Sequence, residues 1–504
     1  MAGHFRDIWA ARLLTFLAAF AIALPASAAI PAAPAPTPVG TLAATGPGAC
    51  AALIPQDFST LAGAPTKVFK AMIRPATADT PELCLVDGYV SPTVGFRLWL
   101  PTATWNGKFA QNGCGGRCQD IPNERCEIVV ARSYACLAAD MGHKSSVFDD
   151  IWAINNVQGE IDFGFRATHV VAIAGKAVIA AFYGRPPRLS YFFGNSTGGR
   201  QALVEAQRFP ADFDGIISAD PALGGVGVDQ NAMRSGSDLI TAALYRDGKA
   251  ILTPADLLRI NAHVIARCDK ADGLADGIIT DPRACDPDLA ALGLSAGQIA
   301  GVTAMYRSGR LPGSERQWIG SYITEDGRLP AEVRGQANRA FSGYGWLFGD
   351  GSNPDLRAFK ARGGKLILYH GLSDEATSPL ATTDYFETMQ RTVGGPAVAA
   401  SFTRLYLIPG KSHIPLNGAA ETIDYLSYLE AWVERGQAPG VLLARHLKVQ
   451  TVVGGPVNAA ADLVPGNTAF SRPVYPYPAQ AHYLGRGDPN SADSFGPVMP
   501  RAAR

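Results

Sequence analysis

Leu189-Ser190-Tyr191-Phe192-Phe193-Gly194-Asn195-Ser196-Thr197-Gly198-Gly199-Arg200-Gln201-Ala202-Leu203 decides how the chain is read. An apolar run of strand length enters a G-x-S-x-G turn, and helix-forming residues leave it. A serine on such a turn projects its hydroxyl from the sheet edge, and the flanking glycines let the backbone approach closely. In a chain with 54 glycines the bare pattern says little. The strand before it and the helix after it give it weight. Ser196 is therefore the candidate nucleophile.

Outward from this turn the same rhythm repeats. Phe96–Leu100, Lys108–Gln111, Tyr134–Ala138, Phe213–Ala219, Lys365–Tyr369 and Arg404–Ile408 read as strands. Asp162–Tyr183, Thr382–Gln390 and Glu421–Arg435 carry helical periodicity. Strands alternating with helices predict an α/β fold, a mostly parallel sheet covered on both faces. Between residues 223 and 352 the rhythm is lost and then resumes. That predicts an inserted lid domain at 223–352, with a catalytic domain formed by 29–222 and 353–504. After about Gly440 the chain is rich in Pro and Gly and is expected to wrap the core.

A nucleophilic serine needs a base, and in α/β-hydrolases an acid and then a histidine follow it in the chain. Among the histidines after Ser196, His413 alone follows directly from a clear strand, in Ile408-Pro409-Gly410-Lys411-Ser412-His413. His370 ends a strand, where a structural role is at least as good a reading. Asp374 lies just past the strand ending at Tyr369, where a carboxylate could hold the second imidazole nitrogen. Asp384 is the fallback, but it falls within a helical run. For the oxyanion hole, the Thr197 N–H pairs with a donor from Asn112-Gly113-Cys114-Gly115-Gly116; Gly115 is favoured and Gly116 is the alternative.

The first 28 residues read as a signal peptide: Arg6 and Arg12 precede an apolar stretch, Pro25 breaks it, and Ala26-Ser27-Ala28 offers a cleavage site. The stretch is too short for a membrane anchor, so an exported protein is expected. With 44 basic and 44 acidic residues and no basic stripe, nucleic acid is not expected as a partner. Eight cysteines in an oxidising compartment favour bridges over thiol catalysis. Cys114 and Cys118 are close together but lack the His or second close pair that zinc would need. Within the insert, Cys268-Asp269-Lys270-Ala271-Asp272-Gly273-Leu274-Ala275-Asp276-Gly277-Ile278-Ile279 sets three carboxylates in a Gly-kinked loop. Such a loop suits Ca²⁺, and it equally suits a solvated Asp-Gly turn.

At these residues the chain resembles the tannase and feruloyl esterase family, which includes mono(2-hydroxyethyl) terephthalate hydrolases. The likeness is carried by Tyr191–Gln201, Asp212–Ile217 with Pro221-Ala222, and the Gly113–Cys118 loop. It continues through His370–Asp374, Pro409–His413, Phe470–Pro473 and Gly485–Asp488. The resemblance implies an α/β-hydrolase fold with a lid and a triad of Ser196, Asp374 and His413. It further implies hydrolysis of small aromatic carboxylic esters of the feruloyl, gallate or benzoate type. A structural Ca²⁺ is implied on the Asp269, Asp272 and Asp276 side chains and the Leu274 and Ile278 carbonyls. Disulfides Cys50–Cys84 and Cys268–Cys285 are also implied, whereas the pairing of Cys114, Cys118, Cys126 and Cys136 stays open.

Two departures stand out. Asn195 and Ile414 occupy the places of a cysteine pair that flanks nucleophile and base in the family, so the triad is expected to be held by packing. Tyr475 and Pro497 stand where the family has a C-terminal pair. Arg307, Arg310, Trp318, Tyr344 and Trp346 are candidate specificity residues of the lid. A serine exopeptidase or amidase is the alternative reading, to be told apart by its failure on simple aryl esters. A non-catalytic calcium-stabilised binding protein is a third.

Overall fold

The computed structural model describes residues 47–118, 120–122, 124–145, 151–223, 242–307, 351–413, 418–449 and 455–500. The signal segment, Ile414 and the lid residues Arg310, Trp318, Tyr344 and Trp346 lie outside them.

Connection length sets the sheet's first part. β1 (Thr66–Arg74), β2 (Leu83–Val90) and β3 (Val94–Pro101) are joined by short turns, which can only fold a strand back antiparallel. β4 (Lys108–Asn112), β5 (Ala135–Ala139), β6 (Leu189–Asn195) and β7 (Gly215–Ala219) have helices between them, and crossovers of that length allow parallel pairing. A small hairpin, β8 (Tyr245–Arg246) and β9 (Lys249–Ala250), precedes β10 (Lys365–Gly371) and β11 (Thr403–Ile408). The order β1-β2-β3-β5-β4-β6-β7-β10-β11 makes one nine-stranded sheet. It is parallel from β5 to β11 and antiparallel before that. The sheet is mostly parallel, as the alternation of strands and helices predicts, with an antiparallel part at β1–β3 that the alternation did not announce.

Alternate side chains of β6 serve two cores. Phe192 packs with the helices Ala167–Tyr183, Thr197–Arg208 and Pro379–Val393. Tyr191 and Phe193 pack with Glu124–Val130 and Tyr425–Arg435 on the other face. The run Val157–Tyr183 is long and apolar enough to cross a membrane, yet most of its apolar stretch is buried within the protein.

β7 and β10 are direct parallel neighbours, Gly215 opposite Lys365, although a long segment separates them in the chain. The described part of that segment has a core of its own, with Leu244, Leu257, Ile260, Val264, Val302 and Met305. Its main helix, Pro254–Cys268, begins with a Thr253–Asp256 capping box. Beyond residue 440 the chain forms more strands than its weak periodicity announces. β12 (Leu442–Leu447) pairs with β13 (Thr468–Val474), and β14 (Gln480–Tyr483) with β15 (Phe495–Val498). Here the Tyr475 hydroxyl donates to the Phe495 carbonyl at 3.4 Å.

All eight cysteines are bridged. The pairs are Cys50–Cys84, Cys114–Cys118, Cys126–Cys136 and Cys268–Cys285.

Candidate active site

The turn after β6 is a tight strand-to-helix junction. Ser196 adopts φ 61° and ψ −118°, a backbone region that non-glycine residues rarely enter, and the helix Thr197–Arg208 starts at the next residue. Close backbone approach explains the glycines. A Cβ on Gly194 would fall 2.4 Å from the Gly198 carbonyl, and one on Gly113 2.7 Å from Gly198 Cα. The Ser196 N–H donates to Ala219 O and the Ala222 N–H to Ser196 O, each at 3.0 Å. Both bonds tie the turn to the end of β7.

Asp374 and His413 come together from the ends of β10 and β11. His413 Nδ1 lies 2.7 Å from Asp374 Oδ2. The other carboxylate oxygen accepts the backbone N–H groups of Ala376 and Thr377 at 2.8 and 2.7 Å. Burial alone would raise the Asp374 pKa. The positive field of His413 and hydrogen bonds from His370 and His413 outweigh burial and hold it well below the usual carboxylate range. Burial likewise works against the His413 cation, but the Asp374 charge and hydrogen bond overcome it and lift the imidazole to about 9. Ser196 is not in this direct contact; it stands on the same edge of the sheet, tied to the pair through the end of β7.

Neighbours that sequence reasoning did not single out complete the arrangement. Thr377 Oγ1 donates to Asp374 Oδ2 at 2.8 Å. Glu375 Oε2 accepts the His413 backbone N–H at 3.1 Å, and burial beside Asp374 pushes this carboxyl up to about 7. His370 is fully buried, with Nδ1 2.7 Å from Thr382 Oγ1 and Nε2 3.2 Å from Asp374 Oδ2. Its part is to brace the acid, which agrees with the structural reading. Asp384, the fallback acid, sits in the helix Pro379–Val393.

The glycine-rich loop after β4 meets the nucleophile turn. The Thr197 hydroxyl donates to Gly116 O at 2.7 Å. The Cys114 N–H is taken by the Gln201 side chain at 3.2 Å. Gly115 is exposed, a Cβ there would meet nothing, and its carbonyl accepts the Cys118 N–H at 2.9 Å. The Cys114–Cys118 bridge closes this loop from within.

In the Asp-rich loop each carboxylate accepts backbone N–H groups of the loop itself. Asp269 Oδ1 accepts from Gly277 at 3.1 Å, Asp272 Oδ1 from Leu274 at 3.0 Å and Asp276 Oδ1 from Ile278 at 3.1 Å. Burial raises the pKa of Asp269 and of Asp272, and repulsion from Asp276 adds to both. Carboxylate oxygens are the donor type that a hard divalent cation takes, although these three do not converge within 4.8 Å of one another as the Asp220, His370 and Asp374 ligand atoms do. The guanidinium of Arg472, 2.5 Å from Asp276 Oδ2, supplies positive charge there and links the loop to β13.

A cavity of about 520 Å³ lies between the insert and the helix Pro379–Val393, lined by Val264, Arg283, Tyr306 and Leu380 among others. It touches none of Ser196, Asp374 or His413, so it is not assigned to the substrate.

Known proteins place the chain. The family model described as "Tannase and feruloyl esterase" matches residues 82–305 and 347–498. The chain belongs to the tannase and feruloyl esterase family. It is a carboxylic ester hydrolase. It is 30% identical to the mono(2-hydroxyethyl) terephthalate hydrolase of Piscinibacter sakaiensis, over 84% of this chain and 87% of that one. It is 29% identical to a probable feruloyl esterase of Arthroderma benhamiae, over 81% and 83%. Feruloyl esterase B from Aspergillus oryzae shares the fold with a TM-score of 0.71 at 21% identity, covering 86% of this chain and 97% of that one. Tannin acyl hydrolase from Aspergillus niger does so with 0.68 at 18%, covering 90% and 95%.

Proposed function

We propose that this member of the family hydrolyses small esters of aromatic carboxylic acids through a triad of Ser196, His413 and Asp374. The observation that carries the reading is the 2.7 Å contact between His413 and Asp374, on the sheet edge that presents the Ser196 turn. With Asp374 ionised, His413 Nδ1 must donate to it, and Nε2 is left as the base toward Ser196. Ser196 would attack the ester carbonyl, and His413 would take its proton and pass it to the leaving alcohol. Water activated by the same imidazole would then release the acid from the acyl-enzyme. Backbone N–H groups of Thr197 and Gly115, with Gly116 the alternative, would hold the oxyanion.

The test is a panel of methyl esters of hydroxycinnamic, gallic and benzoic acids beside matching amides. Ester turnover is expected, with kcat/KM climbing through pH 7 toward about 9 as His413 loses its proton. Protonated His413 cannot accept the serine proton, so the acidic side is the inactive one. Turnover of the amides alone would move the chain to the exopeptidase or amidase reading.

The segment 223–352 is proposed as the lid over this edge, and the first 28 residues as an export signal. Four disulfides suit an oxidising compartment outside the cytosol. The loop 269–278 is proposed to hold one structural Ca²⁺ through Asp269, Asp272, Asp276 and the Leu274 and Ile278 carbonyls. Binding to the native state alone would stabilise it by about 2.7 kcal/mol at a hundredfold excess over Kd. Chelation should lower Tm, and Asp272→Ala should make the chelator ineffective. Purified protein without calcium, melting identically with and without chelator, would reject the site.

A further inference from the structure

Below the candidate site a charged pair is shut away from water. Lys411 Nζ lies 2.6 Å from Asp220 Oδ2. The lysine is 3% exposed and the aspartate 0%. Burying two charges is expensive, and such pairs seldom stabilise a fold more than apolar side chains of the same size. A lysine here therefore calls for a reason other than net stability.

Connectivity supplies one. Asp220 directly follows β7 and takes a left-handed φ of 40°. Its N–H donates to Tyr369 O at 2.9 Å. Its Oδ1 accepts the Gly371 N–H at 2.8 Å, and its carbonyl lies 3.2 Å from Thr377 Oγ1, whose proton goes to the nearer Asp374. One residue earlier, Ala219 O receives the N–H of Ser196. Lys411 stands two residues before His413, and its Nζ also donates to Ser412 O at 3.0 Å. The Lys411 carbonyl accepts the N–H of Ser373, the neighbour of Asp374, at 3.0 Å. A Cβ on Gly371 would come within 2.3 Å of that carbonyl, so the strand carrying the acid and the loop carrying the base touch backbone to backbone. Asp220 thus joins these segments: its carboxylate binds those that carry Asp374 and His413, and the carbonyl of the preceding Ala219 binds the one that carries Ser196.

We propose that Asp220 and Lys411 are positioning residues for ester hydrolysis, a buried ionic cross-link that holds the His413 loop in register with the nucleophile turn. The sequence reading left the triad to packing; here an ion pair spans the same segments. The proposal rests on the triad reading above. A displaced base impairs proton transfer and leaves ground-state binding alone, so the effect belongs in kcat and not in KM.

The experiment measures kcat, KM and Tm for Lys411→Met, Asp220→Asn and the double variant, on a methyl ester turned over by the parent, well below melting. Lys411→Met should lower kcat about 100-fold, the cost of a misplacement near 1 Å, with KM within about twofold. It also strands Asp220 as an unpaired buried anion, so its Tm should fall. The double variant removes that charge and should recover Tm but not kcat. A pair that only stabilised the fold would behave otherwise: the double variant, with Tm restored, would turn over within about twofold of the parent. That result overturns the proposal. If Lys411→Met does not fold, the double variant decides alone. Failure of the triad reading looks different, because Ser196→Ala would then keep its activity. Failure of the positioning role leaves Ser196→Ala inactive and the double variant active.

Discussion

Ser196→Ala should lower kcat on an aromatic ester by about 10⁴-fold or more while leaving the melting curve close to that of the parent. The bonds that fix the turn are backbone bonds, from Ser196 N–H to Ala219 O and from Ala222 N–H to Ser196 O, and alanine keeps both. The left-handed φ of 61° costs alanine about what it costs serine, so the elbow should persist. What disappears is the hydroxyl proposed to form the acyl-enzyme. Remaining turnover would come from oxyanion donors and binding alone, and KM should change little. Stopped ester hydrolysis with unchanged Tm, read against a preparation cleared of host esterases, checks this. Activity within about tenfold of the parent would sink Ser196 as nucleophile.

The parts of the fold legible in the sequence were those with a strong period. β6, β7, β10 and β11 are largely buried and each carries a short apolar run, and each falls within two residues of its expected place. β1 was not legible. Thr66-Lys67-Val68-Phe69-Lys70-Ala71-Met72-Ile73-Arg74 is an edge strand with a register shift between Val68 and Lys70, so its burial does not alternate cleanly. β13 and β14 were hidden by prolines that sit at strand edges and turns. In the candidate site, Ser196, Asp374 and His413 could be singled out because each lies on a loop that leaves a strand's C-terminal end. Thr377, Glu375 and Asp220 escaped notice because ordinary polar residues in loops carry no period, and only three-dimensional contact shows what they hold. Lys411 did leave a trace: it is a lone cation between a Gly turn and Ser412, two residues before the base. Only the fold shows that this cation points inward to Asp220.

Asp374→Asn should lower kcat by about 10⁴-fold with little loss of fold, a larger effect than removing one carboxylate charge would suggest. The reason lies in which way the amide must face. One Asp374 oxygen accepts two backbone N–H groups, from Ala376 and Thr377, at 2.8 and 2.7 Å. An asparagine NH₂ in that place would meet donors head-on, so its oxygen is compelled to stay there. Its NH₂ must then face His413 Nδ1, the Thr377 hydroxyl and His370 Nε2, where Asp374 Oδ2 now stands. With a donor opposite, His413 Nδ1 becomes an acceptor and the ring proton moves to Nε2. That tautomer points an N–H at Ser196 and cannot take its proton. The lost charge acts in the same direction, because Asp374 is what raises His413 to about 9. In the variant, the acidic limb of kcat/KM should therefore move to lower pH even as the plateau collapses. Thr377 offers the control. Thr377→Val removes one donor to Asp374 but leaves the carboxylate, so His413 keeps its tautomer and kcat should fall far less. The decisive comparison is the pH profile of both variants on one ester. Asp374→Asn retaining more than about a tenth of the parent kcat, with its limb unmoved, would mean that another group orients the base.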